Sequence, residues 1–387
     1  MERDQAIKFM LDALKAMKAK GGSDLFITSG FPPACKVDGL MTPLTKQALD
    51  TKEANMLVRA IMNDKQIKEF DATRECNFAI SPQGVGRFRV NAFVQQGRSG
   101  MVMRTITTDI PDFEQLKLPP ILKEVVMAKT GLVLVVGGTG SGKSTTLAAM
   151  IGLRNKDSHG HIITIEDPIE YVHPHLNCII TQREVGVDTD SWHAALKNTL
   201  RQAPNVILIG EIRDQETMEH AINFAETGHL ALSTLHANNA NQALDRIINL
   251  FPSAKRQQLL MDLSLNIRAI ISQRLLRKKS GGRVAAIEIM LNSPLISDLI
   301  FKGEVSSIKE VMSRSNELGM KTFDQALFDL YEADLIGYEE AMRSADSANE
   351  LRLRIKLEGK AAKDKDHDAG LAGLSLVSKD GEESDHH

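Results

Sequence analysis

Apolar and polar residues alternate in two different ways along the chain, and the change of pattern divides it near residue 106. Before that point, a helical repeat over 7–17 is followed by short strand-like runs separated by turn residues. The other elements predicted here are a strand over 25–28, a hairpin of 35–37 and 40–42 around Asp38-Gly39, a helix over about 51–70, and strands over 75–80, 87–95 and 101–106. Together they predict a small α+β domain over residues 1–106.

The pattern after residue 106 is typical of a different fold. Residues 107–120 carry three prolines and no period, which favours a linker. From about 121, short Val/Ile/Leu-rich runs alternate with helices, as in a parallel sheet built from βαβ units. The predicted strands are 132–136, 162–165, 206–209, 230–234 and 284–290. Amphipathic helices are expected over 294–356, so that the second domain spans 121–358, and the polar stretch 359–387 is predicted to be disordered.

Composition narrows the choice of function. The chain has 387 residues, with 47 Lys+Arg against 50 Asp+Glu, and only 4% of its residues are aromatic. This near-neutral, aromatic-poor balance disfavours a nucleic-acid partner. Three separated cysteines with no CxxC pair argue against a zinc knuckle and a disulfide framework, and favour a reducing compartment. With no apolar run of membrane-spanning length and no signal pattern, we expect a soluble, cytoplasmic protein.

Residues 137–144 read GGTGSGKS and match GxxxxGK[ST] between a predicted strand and a predicted helix. In such a loop, backbone N–H groups surround phosphate oxygens, a lysine reaches the β and γ phosphates, and a hydroxyl ligates Mg²⁺. The predicted ATP-binding residues are Gly137, Gly138, Thr139, Gly140, Ser141, Gly142, Lys143, Ser144 and Thr145. The alternative is a glycine-rich turn without a ligand.

Two predicted strands run directly into carboxylates, at Glu166 and at Glu211. In open α/β sheets ligands lie beyond the carboxyl ends of the strands, so both acids are expected near the nucleotide. Glu211 and Ser144 are the candidate Mg²⁺ ligands, and either acid is a candidate catalytic group. The alternative is that each carboxylate only caps the following turn or helix.

Two further sets of residues are candidates with open alternatives. His229 and His236 stand at the amino and carboxyl ends of one predicted strand, and either could be a structural, hydrogen-bonded histidine. Arg87 and Arg89 project from one face of a predicted strand, with Arg104 on the next strand. These arginines are either a solvated face or groups that stabilise phosphoryl transfer in another domain or subunit.

Four segments occur in a fixed order: GGTGSGKSTTLAAM, HIITIEDPIEYVH, VILIGEIRDQET and AETGHLALSTLHANNA. They resemble the Walker A, Asp box, Walker B and His box of the hexameric secretion and pilus ATPases. The segments GSDLFITSGFPP and GRFRVNAF also resemble the type IV pilus retraction ATPases, the PilT/PilU family. The absence of paired CxxC motifs separates the chain from the zinc-binding extension ATPases.

Departures from the family pattern favour the PilU-like branch. SPLISDLIFKGE stands where PilT-like chains carry AIRNLIRE, and NELRLRIKLEGK extends beyond their usual end. Gly138 replaces a usual Pro, Ser233 replaces a usual Gly, and Gly210 stands where many relatives have Asp. Neither Gly138 nor Ser233 removes a functional group relative to the residue it replaces, so both changes leave nucleotide binding intact.

The resemblance implies a RecA-like P-loop ATPase domain behind a smaller PAS-like N-terminal domain, assembled as a homohexamer that uses ATP and Mg²⁺. It implies a motor for pilus retraction and twitching motility, acting with a PilT-like paralogue on the inner-membrane platform protein. Glu166 would position or deprotonate water, Glu211 would hold the metal-side water network, and His229 and His236 would couple nucleotide state to subunit packing. It also implies that Arg87, Arg89 and Arg104 match arginines that reach the nucleotide.

Two other functions remain open from the sequence. One is an accessory subunit that binds ATP but generates force only through its paralogue. The other is RecA-like translocation on DNA, which the acidic balance and sparse aromatics disfavour.

Overall fold

The computed structural model describes residues 2–107 and 109–359. Its helices are α1 (Arg3–Ala19), α2 (Thr51–Ala60), α3 (Asp64–Thr73), α4 (Phe113–Leu116), α5 (Ile121–Met127), α6 (Lys143–Asp157), α7 (Trp192–Thr199), α8 (Gln215–Glu226), α9 (Ala240–Leu250), α10 (Arg256–Asn266), α11 (Pro294–Lys302), α12 (Ile308–Arg314), α13 (Phe323–Glu332), α14 (Tyr338–Ser344) and α15 (Ala348–Glu358). Its strands are β1 (Asp24–Ile27), β2 (Ala34–Val37), β3 (Leu40–Pro43), β4 (Glu75–Ile80), β5 (Arg87–Gln95), β6 (Arg98–Ile106), β7 (Gly131–Val136), β8 (Gly160–Glu166), β9 (Cys178–Glu184), β10 (Val206–Ile209), β11 (Leu230–Leu235), β12 (Ile267–Arg277) and β13 (Arg283–Leu291).

The N-terminal strands form an antiparallel sheet in the order β3-β2-β1-β6-β5-β4. Asp38 and Gly39 join β2 to β3 with φ of 50° and 84°, the left-handed conformation that a tight hairpin turn requires. Apolar side chains from α1, α2 and one face of the sheet form a continuous core; its largest members include Met10, Leu14, Met17, Leu25, Leu57, Phe78 and Phe88. The predicted hairpin and α+β composition of this region are therefore confirmed.

The single helix predicted over about 51–70 is wrong. The chain forms α2 and α3 instead, and Asn63 begins the second of them. Its side chain accepts the N–H of Gln66 at 2.9 Å, and the Gln66 side chain accepts the N–H of Asn63 at 2.9 Å. This reciprocal cap stabilises a new helix start, and an Asn followed three residues later by Gln was the signal that could have shown it.

The predicted linker also contains local structure. Asp112 caps α4 by accepting the N–H of Gln115 at 2.8 Å, and the buried Phe113 anchors that turn. That residues 107–120 separate two domains stays a prediction.

The described chain divides into two compact units. The first comprises residues up to 135, 143–235 and 247–269, and the second comprises 136–142, 236–246 and the described residues from 270 onwards. The predicted disordered stretch 359–387 lies, apart from Gly359, outside the described residues. Among the helices of the described ranges, none is both long and apolar enough to cross a membrane.

In the first unit, the strands of the second sheet lie in the order β7-β11-β10-β8-β9. Strands β8, β9, β10 and β11 pair in parallel with their neighbours, as the βαβ pattern predicts. Strand β9 was missed because it contains few apolar residues and because buried and exposed side chains alternate along it. Ile179 is 63% exposed, between the buried Cys178 and Ile180. Its polar half, TQRE, does not resemble the apolar strands on which the prediction rested.

The second unit contains β13 beside β12, with α11 to α15 after them in the chain. Strand β12 was also missed, because it follows α10 without an intervening Gly or Pro to mark the change. Buried side chains of both strands pack with the C-terminal helices in one cluster: Leu276, Ala286, Phe323, Ala326, Leu327, Ile336, Ala341 and Leu351. The amphipathic helices predicted over 294–356 are confirmed.

Candidate active site

The glycine-rich loop 137–142 follows β7 and ends where α6 begins. At Gly137 a Cβ atom would lie 2.6 Å from the carbonyl oxygen of Gln273, so no larger residue fits there. Gly140 and Gly142 have φ of 73° and 90°, which turns the backbone back on itself. The buried Oγ of Ser141 has no hydrogen-bond partner among the described residues. A loop of this shape, with a polar atom left unsatisfied, fits an anionic ligand.

Helix α6 presents Lys143, Ser144 and Thr145 in its first turn, where backbone N–H groups have no partner within the helix. Burial lowers the pKa of Lys143, while the carboxylates of Glu211 and Glu170 act to raise it. The Lys143 ammonium therefore lies within electrostatic reach of carboxylates that follow two different strands. Thr145 shares a hydrogen bond of 2.9 Å with the hydroxyl of Tyr171, which ties the helix start to the segment after β8.

Glu166 ends β8 in surroundings that alter its chemistry. Its carboxylate accepts hydrogen bonds from the Thr164 hydroxyl at 2.6 Å and from Nε2 of Gln182 at 3.3 Å. Burial raises the pKa of Glu166 to about 7, although those two hydrogen bonds act to lower it. Near neutral pH this group can accept or release a proton, as a general base must.

Glu211 follows β10 directly, and hydroxyl groups of β11 fix the end of that strand. Ser233 donates a hydrogen bond to the carbonyl oxygen of Ile209 at 2.7 Å, and Thr234 donates one to that of Gly210 at 2.6 Å. Ser233, which departs from the family's usual Gly, thus adds a buried bond between the two strands. The Glu211 carboxylate itself accepts from Nε of Arg213 at 2.9 Å.

Gly210 allows β10 and β8 to end close together. A Cβ at this position would lie 3.2 Å from the Cα of Glu166 and 3.2 Å from the carbonyl oxygen of Ile165. The side chain of Trp192 would lie 3.5 Å away on another side. The Gly at this position therefore permits the close approach that a larger residue would disturb.

Sequence reasoning missed Glu170 and Arg213. The charge of the Glu170 carboxylate acts to raise the pKa of both Lys143 and Glu166. The backbone N–H of Glu170 also donates a hydrogen bond to the Glu166 carboxylate. Arg213 pairs with Asp167 at 3.5 Å as well as with Glu211. Glu170 could have been predicted from the sequence, because it is a carboxylate only four residues after Glu166. Arg213 could not, because its position between Asp167 and Glu211 depends on how the ends of β8 and β10 meet in the fold.

The two histidines occupy different edges of the fold. His229 precedes β11, its carbonyl accepts the N–H of Gly131 at 3.1 Å, and its ring contacts Thr227 and the carbonyl of Phe224. It thus lies at the amino edge of the sheet, while Glu166 and Glu211 lie at the carboxyl edge. The structure does not bring His229 to these acids within one chain.

His236 follows β11 directly, and a network in the second unit holds the segment around it. The His236 carbonyl accepts from Arg246 at 2.9 Å, and the Asn238 carbonyl accepts from Arg274 at 3.2 Å. The buried Glu288 accepts the N–H of Ala240, which begins α9, at 2.8 Å. These bonds fix the start of α9 and the backbone that carries His236.

Arg87 and Arg89 extend from one face of β5 to acids at the end of β9. Arg89 lies 3.3 Å from the carboxylate of Glu184, and Arg87 lies 3.5 Å from that of Asp188. Glu184 is only 4% exposed and also accepts the N–H of Ile169, in the turn after Glu166. The arginine pair is therefore not a solvated face, because it is connected to the segment that carries the catalytic candidate.

Arg104 has a different environment. It lies opposite Arg89 in the sheet register but pairs with the buried Asp24 through Nε at 2.8 Å. Both partners belong to the N-terminal sheet, so Arg104, although it is a neighbour of Arg89, forms its ion pair within that sheet and not with the acids at the end of β9.

Comparisons with known proteins agree with this arrangement. The family model for Type II/IV secretion system protein matches residues 7–322. The type IV pilus ATPase PilU of Pseudomonas aeruginosa is 59% identical over 369 residues, which cover 95% of this chain and 96% of that protein. The chain belongs to the PilT/PilU family of type IV pilus ATPases.

Two further PilT relatives extend the family comparison. The type IV pilus retraction ATPase PilT of P. aeruginosa is 43% identical over 333 residues, which cover 86% of this chain and 97% of that protein. The crystal structure of the pilus retraction motor PilT with bound ADP superposes with a TM-score of 0.82 at 40% identity, covering 88% of this chain and 98% of that one. This pilus ATPase is therefore a nucleotide-using P-loop enzyme, and its predicted RecA-like α/β fold class is confirmed.

Proposed function

We propose that this pilus ATPase is the ATP-hydrolysing subunit of a homohexameric motor for type IV pilus retraction and twitching motility. The observation that supports it best is the convergence on Lys143 of carboxylates that follow β8 and β10. That PilT is named a retraction motor, and that its crystal structure contains ADP, supports the same activity for this relative.

In this proposal, each group of the candidate site has a distinct task. The loop amides and Lys143 hold the phosphates, and the Ser141 hydroxyl finds its missing partner there. Ser144 and Glu211 would hold Mg²⁺, because a hydroxyl and a carboxylate are the hard oxygen donors that this ion prefers, and the ion would supply positive charge against the phosphates. Glu166 orients the attacking water and accepts its proton.

The arginines and histidines would act between domains or subunits. Arg87 and Arg89 are paired here with Asp188 and Glu184. During the cycle their side chains would move to the nucleotide and stabilise the negative charge of its phosphates. His229 and His236 would report nucleotide state to the neighbouring subunit. The ring would work at the cytoplasmic side of the inner membrane, against the platform protein and together with a PilT-like paralogue.

The first test is the substitution Lys143→Ala. We expect steady-state phosphate release to fall at least about 100-fold, because the phosphate charge loses its main cation in a partly buried site. The fold should persist, since Lys143 is half-buried at a helix start, and the melting temperature checks this. Unchanged hydrolysis by the variant would refute the assignment of the loop.

The same assay distinguishes the alternative function, in which the protein is an accessory subunit that binds ATP but generates force only through its PilT-like paralogue. Phosphate release is measured for the protein alone, for the paralogue alone and for the mixture. A rate for the protein alone that Lys143→Ala removes supports the autonomous motor. Nucleotide binding without release, combined with a rate in the mixture that depends on Lys143, supports the accessory role.

A further inference from the structure

A cluster of potential metal ligands lies outside the nucleotide site, where α7 packs against α8. His193 is the second residue of α7, and Glu216 and His220 lie one turn apart on α8. Residues four apart project from the same face of a helix, so Glu216 and His220 face α7 together. One ligand atom from each residue can be chosen so that all three lie within 4.8 Å of one another.

We propose that His193, Glu216 and His220 form a site for Zn²⁺ or a similar late first-row divalent ion. Two imidazoles and a carboxylate are a donor set that zinc accepts, with a water molecule completing a tetrahedron. Bonds of about 2.0–2.1 Å in a tetrahedron place ligand atoms about 3.4 Å apart, which the side chains reach by small rotations. Mg²⁺ prefers a purely oxygen environment and does not suit these ligands.

The contacts of the three side chains favour preorganisation. Nδ1 of His193 is in hydrogen-bond contact with the Glu216 carboxylate, which holds the two helices at the required approach. The ring of His220 packs against Phe224 with centroids 5.9 Å apart.

In the part of the chain that the structure describes, no other group of three or more His, Cys, Asp or Glu side chains brings its ligand atoms within 4.8 Å of one another. The three cysteines of the chain are buried, so they are poor rivals for an ion added from solution. The predicted absence of zinc rested on the missing CxxC pairs and does not extend to histidine ligands.

The place of the site gives it a structural consequence. Helix α7 precedes β10 and helix α8 follows it, so an ion bound by both would link the elements on either side of the strand that ends before Glu211. Trp192, next to His193, is the side chain that a Cβ on Gly210 would approach to 3.5 Å. A bound ion therefore restrains the packing around the end of β10 and stabilises the folded state by mass action.

The test uses the full-length, tag-free protein treated with a chelator and then titrated with ZnCl₂ in the absence of nucleotide. We expect one Zn²⁺ per chain by calorimetry, with affinity at least about tenfold weaker in His193→Ala and in His220→Ala. His159→Ala, which removes an exposed histidine between α6 and β8, is the matched control and should bind as the wild type does. Zn²⁺ should also raise the melting temperature of the wild type but not that of the double variant His193→Ala/His220→Ala.

Either of two results overturns the proposal: no uptake by the wild type, or equal stoichiometry and affinity in the double variant. Should the double variant fold poorly in chelator, crystals of the wild type soaked with Zn²⁺ decide the matter. Anomalous density at the zinc edge between α7 and α8 supports the site, and its absence there refutes it. These readouts do not involve ATP turnover, so their failure leaves the proposed motor function untouched.

Discussion

Glu166 illustrates how the environment of one residue changes its chemistry. A glutamate in water is ionised at pH 7, but burial at the end of β8 raises the pKa of Glu166 to about 7. The protein therefore holds a carboxyl group that gains and loses a proton near neutral pH. Such a group is suited to taking a proton from water and losing it again.

This property predicts a pH dependence of catalysis. Because the base must be ionised, kcat/KM for ATP should rise with pH through a midpoint of about 7 and fall about tenfold per pH unit well below it. Glu166→Gln should lower the rate and abolish this titration while keeping the hydrogen bond from Thr164. Steady-state rates between pH 5.5 and 8.5 for both proteins make the measurement. An unchanged titration in Glu166→Gln would assign the midpoint to another group.

The same pKa has an opposite consequence for stability. Since the folded-state pKa lies above the ordinary value of 4.5, the folded protein binds more protons than the unfolded chain between those values. The contribution of Glu166 to stability is thus fully present below about pH 4.5 and is lost as pH rises through about 7. The ionisation that permits catalysis is therefore unfavourable for the fold.

At the scale of elements, strand β5 places two arginines on one face and core residues on the other. Its side-chain alternation places Arg87 and Arg89 on the face opposite the buried Phe88 and Val90, as the sequence predicts. Their partners, Glu184 at the end of β9 and Asp188 just after it, could not be predicted, because β9 itself lacked a recognisable pattern. The paired residues are 95 positions apart for Arg89 and Glu184 and 101 for Arg87 and Asp188, so their contacts depend on the tertiary fold and leave no local signal.

Substitutions in the arginines should separate their roles. We expect Arg89→Ala to lower kcat by about 100-fold or more if its charge reaches the transferring phosphate, with Arg89→Lys intermediate. Arg104→Ala, on the neighbouring strand and paired with Asp24, should change kcat less than about threefold. Melting temperatures control for the loss of each ion pair. Equal losses of kcat in Arg89→Ala and Arg104→Ala would contradict the distinction.

Other elements show why part of the fold was readable. Strands such as β10 can be predicted from their composition and from the turn residues beside them. Strand β10 has four buried apolar residues between Asn205 and Gly210. The P-loop and the acids at strand ends were predictable for the same reason, since a motif and a strand end are local. A hydrophobic pattern does not show the rest. The break at Asn63 depends on a local helix cap, and strand β12 and the roles of Glu170 and Arg213 depend on tertiary neighbours.

At the scale of the whole molecule, the last described helix completes a core. Leu351 of α15 is 1% exposed within the C-terminal cluster, and the guanidinium of Arg354 lies 4.9 Å from the ring centre of Phe328 on α13. These contacts hold the last described helix in the core of the second unit.

Two truncations test this coupling. Ending the chain after Gly359 should leave the melting temperature within about 2 °C of the full-length value, because α15 and its contacts remain. Ending it after Ser347 removes Leu351 from the core and should lower the melting temperature by about 5 °C or more. Differential scanning calorimetry compares the three chains. A large loss already in the longer truncation would show that residues 360–387 contribute to the fold.

The pairing of Arg89 with Glu184 has one more consequence. Glu184 is 4% exposed, so an arginine that leaves it abandons a carboxylate with little access to water. An anion can recruit Arg89 only by attracting it more strongly than this enclosed partner does. The ion pair with Glu184 therefore makes Arg89 selective. A multiply charged anion attracts the guanidinium strongly enough to break the pair, whereas a monovalent anion does not.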